Sequence, residues 1–129
     1  MPETHDISPR RIVVSEDDDD MRALLAAALR RDGHDVAVTS DGQSLLSYLT
    51  DDDAHVVDLI IADQRMPGRT GLEVLATLRG QQQRVPFILM TACCDQVTRA
   101  EARRLGVAAL LDKPFQLDEL RASIRKLLP

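Results

Sequence analysis

The sequence predicts a single α/β domain built on a doubly wound, five-stranded parallel sheet. Short apolar runs rich in branched residues alternate with longer segments of helical spacing, a pattern typical of parallel sheets that helices cover on both faces. The 129 residues suffice for one such domain and not for two. Hydrophobic residues make up 44% of the chain, and no apolar run approaches the roughly 18 residues of a membrane helix. A transmembrane protein is therefore not expected.

Five apolar runs are the candidate strands, and the second is the least apolar, which favours a position at the sheet edge. The predicted strands cover Ile12–Ser15, Asp35–Thr39, Val56–Ala62, Pro86–Thr91 and Val107–Leu111. Right-handed crossovers favour the flavodoxin-like strand order 2-1-3-4-5, a three-layer sandwich whose switch point lies between strands one and three. Ligands of such sheets bind there, beyond the carboxyl ends of the strands.

The segments between the strands carry apolar stripes at helical spacing. The stripes comprise Met21, Leu24, Leu25, Ala28 and Leu29 in the first helix, Leu45, Leu46 and Leu49 in the second, Leu72, Leu75 and Leu78 in the third, and Leu117, Leu120, Ile124 and Leu127 in the fifth. The fourth helix, Gln96–Leu105, is the weakest amphipath, with Val97, Ala100 and Leu105 as its main apolar positions. Gly33 and Gly106 each follow a pair of arginines, which predicts helix ends there.

Charge and cysteine content narrow the classes of function. The net charge of -5 gives no reason to expect direct binding of nucleic acid or of anionic membrane. Cys93 and Cys94 are adjacent, which suits neither a zinc site nor a redox CxxC pair and fits a reducing compartment. Because residues 1–10 lack the apolar stretch of a secretory signal, we expect a cytoplasmic protein with a flexible tail over residues 1–9 and one domain over residues 10–129. The run Asp51–Asp53 predicts a solvated loop.

Chemistry-bearing side chains follow the predicted strands where each strand ends. Glu16 and Asp17 follow the first strand, Asp63 follows the third, Thr91 ends the fourth, and Lys113 follows the fifth. Three carboxylates that face one another repel unless a cation neutralises them. Because all the ligands are oxygens, the cluster favours Mg²⁺ or Mn²⁺, and Mg²⁺ leaves room for a phosphate oxygen. The sequence therefore predicts a metal site suited to phosphoryl chemistry.

Four motifs in order, each at a strand end, make the chain resemble the receiver domain of two-component response regulators, the family of the chemotaxis receiver. The motifs are Val13–Asp17 with Met21 and Arg22 following, Asp63–Gly71 (Asp-Gln-Arg-Met-Pro-Gly-Arg-Thr-Gly), Thr91–Ala92, and Lys113–Phe115. Each motif alone is weak, whereas the four together are a specific signal. The resemblance covers nearly all of residues 11–128.

The resemblance implies a metal set and a phosphoacceptor. Asp63 would accept the phosphoryl group, Asp17 would bind Mg²⁺ directly, and Glu16 would bind it through water. The backbone carbonyl of Arg65 would complete the protein's share of the metal ligands.

The same resemblance gives the remaining roles in phosphorylation. Thr91 would hydrogen-bond the phosphoryl group and Lys113 would pair with it, with a cis bond between Lys113 and Pro114. The domain would catalyse its own phosphorylation and dephosphorylation and would be no other kind of enzyme. Its partners would be a histidine kinase or phosphotransfer protein and an effector domain or downstream protein that binds the face of the fourth helix, fifth strand and fifth helix. A homodimer is compatible with this pattern.

Simpler or rival interpretations remain beside this one. Asp18, Asp19 and Asp20 are best explained as an N-cap and acidic first turn of a helix. A phosphorylation-independent interaction module would share the fold, but such modules usually lose the acceptor, an acidic ligand or the lysine. A dehalogenase-type phosphatase would need an aspartate at Arg65, and a dinucleotide enzyme would need glycines after the first strand. Leu110 replaces the aromatic residue that many receivers use as a switch.

Overall fold

The computed structural model describes residues 9–51, 56–92 and 95–129. Five strands and five helices alternate along the described chain. They are β1 (Arg11–Ser15), α1 (Asp19–Arg31), β2 (Asp35–Thr39), α2 (Gly42–Thr50), β3 (Leu59–Asp63), α3 (Gly71–Gly80), β4 (Phe87–Thr91), α4 (Gln96–Leu105), β5 (Ala109–Asp112) and α5 (Leu117–Leu127). All strand pairs are parallel, and the order β2-β1-β3-β4-β5 confirms the predicted doubly wound topology with β2 at an edge.

Two apolar clusters lie on opposite faces of the sheet, because successive side chains of a strand point to opposite sides. On one face α1 and α5 cover strand residues such as Ile12, Val14 and Ile61. On the other face α2, α3 and α4 cover Val13 and Ile60. The result is the three-layer sandwich of the flavodoxin-like fold that the sequence predicts.

Two predicted strands begin more than one residue too early. Val56–Ala62 was the predicted third strand, but β3 begins at Leu59, because its neighbour β1 begins at Arg11 and offers no ladder to Val56, whose side chain is 80% exposed. The prediction for the fifth strand included Val107, whose N–H instead donates to the carbonyl of Ala102 and closes the end of α4.

The predicted apolar stripes are wrong in two helices. Leu24 is 58% exposed, since it lies about 100° around α1 from the buried Leu25. In α4, Val97 is 79% exposed and Ala100 is also exposed, whereas Ala102 is buried and Leu105 packs on the core. Of the three predicted apolar positions of α4, Leu105 packs on the core, where it anchors the helix together with Ala102.

The predicted helix ends and several loop features are confirmed. Gly33 and Gly106 have φ values of 96° and 77°, the left-handed region that glycine tolerates, and Gly106 is the C-cap of α4. Asp18 is the N-cap of α1, and the Lys113–Pro114 peptide bond is cis. The predicted tail up to residue 8, the loop positions 52 and 53, and both cysteines lie outside the described residues.

Candidate functional site

The carboxyl ends of β1 and β3 lie side by side at the switch point, where strand order reverses. Ser15 pairs with Ala62 in the ladder, so the residues that follow β1 lie next to Asp63, the last residue of β3. The next residue on each strand continues the neighbouring ladder: the N–H of Glu16 donates to Thr39, and that of Gln64 donates to Met90. The strand pairing therefore places the side chains that follow β1 close to that of Asp63.

Glu16, Asp17 and Asp63 each offer a carboxylate oxygen, and these three atoms lie within 4.8 Å of one another. Glu16 is fully buried, Asp63 is 5% exposed, and Asp17 faces solvent. Two buried carboxylates and one exposed carboxylate make a half-open arrangement of hard oxygen donors. Such a donor set fits Mg²⁺, which prefers a few carboxylates together with water or phosphate oxygens.

Lys113 is the cation of this cluster in the structure. Its Nζ donates hydrogen bonds of 2.6 Å to Asp63 Oδ2 and 2.7 Å to Glu16 Oε1. The N–H of Lys113 donates to the carbonyl of Thr91, which fixes the start of the lysine side chain at the end of the neighbouring strand. One ammonium against three carboxylates leaves a net negative charge that a divalent cation would compensate.

Burial and charge shift the pKa values of this pair. Burial raises the pKa of Glu16 above its ordinary value, and the hydrogen bond from Lys113 opposes that rise without cancelling it. Burial would lower the pKa of Lys113, but its hydrogen bonds to Asp63 and Glu16 outweigh burial and raise that pKa. Lys113 therefore stays charged at neutral pH.

Thr91 and Arg65 occupy the remaining predicted positions. Thr91 is the last residue of β4, is 2% exposed, and so lies on the strand adjacent to Asp63. The N–H of Arg65 donates to Asp63 Oδ1 at 3.2 Å, so the chain turns back over the Asp63 carboxylate, and the Arg65 side chain is exposed. The structure brings Glu16, Asp17, Asp63 and Lys113 together and places Thr91 and Arg65 beside them.

The loop after Asp63 folds back so that the backbone at Gly71 packs closely against the backbone of Asp63. A Cβ on Gly71 would lie 2.7 Å from the carbonyl oxygen of Asp63, so that position needs glycine for space and not for an unusual φ. The side-chain oxygen of Gln64 accepts from the N–H of Leu72, and Thr70 and Glu73 form a capping box. The start of α3 is thereby fastened directly to the residues around Asp63.

Three contacts near the cluster were not predicted from the sequence. Arg22 donates to the carbonyl of Glu16, and the hydroxyl of the fully buried Ser15 donates to the sulfur of Met66 at 3.0 Å while accepting from Thr39. The spacing of Asp19 and Arg22, three residues apart at a helix start, indicates the ion pair between these two side chains, and no sequence signal indicates the contact of Arg22 with the Glu16 carbonyl. Nothing in the sequence indicates the contact of Ser15 with Met66, because it joins positions 51 residues apart.

Comparison with known proteins identifies relatives over almost all of this structure. The family model described as response regulator receiver domain matches residues 12–125. The transcriptional regulatory protein TcrA of Mycobacterium tuberculosis is 38% identical over 121 residues, which are 94% of this chain and 47% of TcrA. The chain thus spans about half the length of that relative.

Two further relatives match over nearly the whole length of both proteins. The sporulation initiation phosphotransferase F of Bacillus subtilis is 28% identical over 119 residues, 92% of this chain and 94% of that protein. The structure of the response regulator TrrA of Thermotoga maritima, in complex with Mg²⁺-BeF, superposes with a TM-score of 0.81 at 29% identity and covers 92% of this chain and 99% of the other.

Proposed function

Because the chain belongs to the response regulator receiver domain family, we propose that Asp63 accepts a phosphoryl group from a histidine kinase or phosphotransfer protein. One observation carries the proposal: Asp63 is clustered with Glu16, Asp17 and the ammonium of Lys113 at the switch point of the sheet. The alternative, a phosphorylation-independent interaction module, gains no support from this arrangement, because binding without phosphorylation does not require a buried carboxylate beside a paired lysine.

The proposed reaction transfers a phosphoryl group from a donor nitrogen or oxygen to an oxygen of Asp63. An Asp63 oxygen attacks phosphorus, the bond from phosphorus to the donor nitrogen or oxygen breaks, and the electron pair of that bond stays with the donor. Attack by a carboxylate on an anionic group is opposed by charge repulsion, which the Lys113 ammonium, 2.6 Å from Asp63 Oδ2, reduces. Lys113 then pairs with the transferred group, and Thr91, on the adjacent strand, hydrogen-bonds it.

Mg²⁺ is the cofactor that these residues fit. We assign its direct ligands to Asp17, Asp63 and the backbone carbonyl of Arg65, and we assign Glu16 to a contact through water. When bound, Mg²⁺ neutralises charge on the carboxylate and phosphoryl oxygens. The chain holds these oxygens ready through the ladder bonds at the ends of β1 and β3. The Mg²⁺-BeF complex of the Thermotoga relative supports this assignment.

We propose that the receiver domain extends over residues 10–129, beyond the matched region. The carbonyl of Arg10 accepts from the N–H of Asp35, and Leu127 and Leu128 pack on the core cluster beneath α5.

The domain acts in the cytoplasm, does not itself bind nucleic acid, and passes its state to an effector domain or downstream protein through the face of α4, β5 and α5, in some cases as a homodimer. None of the helices in the described part of the chain has both the length and the apolar character to cross a bilayer.

Acceptance of phosphoryl by Asp63 is tested by intact-protein mass spectrometry after incubation with acetyl phosphate and Mg²⁺. Wild-type protein and the control Asp112→Asn should gain one phosphoryl group, since Asp112 is an exposed carboxylate at the end of β5. Asp63→Asn should gain none. Full labelling of Asp63→Asn would overturn the assignment, and no labelling of wild type by acetyl phosphate or by a phosphorylated kinase would favour the interaction module.

A further inference from the structure

Arg22, in the second turn of α1, contacts both ends of the loop that carries Glu16 and Asp17. Its Nη1 donates to the backbone carbonyl of Glu16 at 2.9 Å, and its Nη2 donates to Asp19 Oδ1 at 2.6 Å. The Arg22 side chain is 21% exposed, whereas that of Asp19 is 87% exposed. The guanidinium therefore lies against the loop and does not extend into solvent.

The hydrogen bond from Arg22 to the Glu16 carbonyl constrains the backbone of more than one residue. The carbonyl of Glu16 and the N–H of Asp17 belong to one planar peptide unit, so a donor on that carbonyl sets the orientation of the plane that leads into Asp17. The rest of the loop is tied on either side: Glu16 N–H donates to Thr39, and Asp18 N–H donates to Glu16 Oε2 at 3.1 Å. The direction of the exposed Asp17 carboxylate depends on this framework.

We propose that Arg22 is a positioning residue for the divalent cation site, which it serves by holding the Glu16–Asp17 peptide plane; the inference rests on the proposed function. A purely electrostatic role makes the opposite prediction. A guanidinium charge near the cluster repels a divalent cation, so removal of that charge alone would tighten Mg²⁺ binding. Loss of positioning instead weakens binding, because residues that orient metal ligands change affinity by about 10- to 100-fold.

The test is Mg²⁺ titration by isothermal calorimetry of wild type, Arg22→Met and Arg22→Lys. Met keeps the unbranched apolar stem but is shorter and has no donor, so we expect binding about 10-fold weaker. Lys keeps the charge and a donor that reaches one of the two acceptors, so we expect weakening of about 3-fold, where a role through charge alone predicts no change.

Arg30→Met is the matched control, since Arg30 lies in the last turn of the same helix and donates to a backbone carbonyl, that of Val36, at 2.9 Å. We expect its Mg²⁺ affinity to stay within about 2-fold of wild type, because its contact is far from the cluster. Thermal unfolding without Mg²⁺ identifies the folded variants, and if Arg22→Met does not fold, Arg22→Lys decides.

Three results separate the possibilities. Absence of Mg²⁺ binding by wild type would overturn the proposed function and this inference with it. Binding by wild type with equal or tighter binding by Arg22→Met would overturn the inference alone. An equal loss in Arg22→Met and Arg30→Met would also overturn it, since the effect would then be general destabilisation of α1.

Discussion

Lys113 Nζ lies 2.6 Å from Asp63 Oδ2, although 50 residues separate the two positions in the sequence. The same ammonium lies 2.7 Å from Glu16, which is fully buried. One side chain thus joins the ends of β1, β3 and β5. Because the lysine compensates two carboxylates that have little access to water, it supports the fold as well as the proposed chemistry.

Replacement of Lys113 by Ala should destabilise the protein when Mg²⁺ is absent. Removing one partner of a buried ion pair leaves an uncompensated charge and costs about 3–5 kcal/mol; since Lys113 is partly exposed, we expect about 2 kcal/mol. Urea unfolding in EDTA measures the loss. Lys126→Ala, at the exposed end of α5, is the control and should change the free energy of unfolding by less than about 0.5 kcal/mol. Equal effects of the two substitutions would contradict this role of Lys113.

Two glycines of α3 should respond oppositely to the same substitution. A Cβ at Gly71 would lie 2.7 Å from both the Asp63 carbonyl oxygen and Leu89 Cδ1, so Gly71→Ala should lower the free energy of unfolding by about 1–3 kcal/mol. A Cβ at Gly80 would meet nothing within 4 Å, so Gly80→Ala should be neutral or stabilise by up to about 1 kcal/mol through helix propensity. Urea unfolding of both variants checks the contrast, and a destabilised Gly80→Ala would refute it.

The N-cap of α2 should give stability that depends on pH. Hydrogen bonds from the Ser44 N–H at 2.7 Å and from its hydroxyl at 2.9 Å hold the pKa of Asp41 below its ordinary value. A lowered pKa in the folded state means that the contribution is complete above the ordinary value of 3.8 and is lost as the pH falls through the folded pKa. Asp41→Asn keeps a capping oxygen but has no charge to lose.

Thermal unfolding at several pH values measures this contribution. Wild type should have the higher Tm at pH 7, and its margin over Asp41→Asn should shrink below about pH 4. A margin for Asp41 that stays constant down to pH 3 would contradict the pKa shift.

The sequence predicts which residues cluster at the site more accurately than it predicts which faces of the helices are buried. Strand ends can be found from apolar runs, and in a doubly wound sheet they meet at one edge, so the clustering of Glu16, Asp17, Asp63 and Lys113 follows from local patterns and topology. The individual roles of these residues in phosphorylation, and the roles of Thr91 and Arg65, are implied by the resemblance to a family. The contact of Ser15 with Met66 could not be predicted, because it depends on how the loop after β3 packs against the end of β1.

Helix faces were harder to predict because apolar character alone does not fix the direction in which a side chain points. Leu24 and Val97 are as apolar as buried neighbours, yet they face solvent, where single apolar side chains are common. The start of β3 was missed for a different reason. Val56 and Val57 have strong strand propensity, but a strand needs a partner, and β1 begins only at Arg11, which is paired with the residues around Asp58.

Phosphorylation of Asp63 should act on α4 through Thr91. A phosphoryl group on Asp63 adds charge and acceptor oxygens beside Thr91 and Lys113, which should draw Thr91 inward and move the segment before α4. On the core side this helix has one fully buried residue, Ala102, together with the partly buried Leu105. Near its start it is tied to β5 by the exposed ion pair between Arg99 and Asp112, at 2.9 Å. An exposed pair contributes about 0–1 kcal/mol, so a modest bias can shift the position of α4.

Hydrogen exchange with and without beryllofluoride and Mg²⁺ measures that shift. Protection should change between Thr91 and Leu111 and stay constant in α1, whose buried Leu25 and Leu29 anchor it. With Leu110 partly buried in the core where many receivers have an aromatic switch, the change should pass through Thr91, so Thr91→Ala should abolish it. Arg99→Ala should speed exchange in α4 before the ligand is added and so reduce the further change. The idea is wrong if the changes fall only around α1 and α2, or if Thr91→Ala responds like wild type.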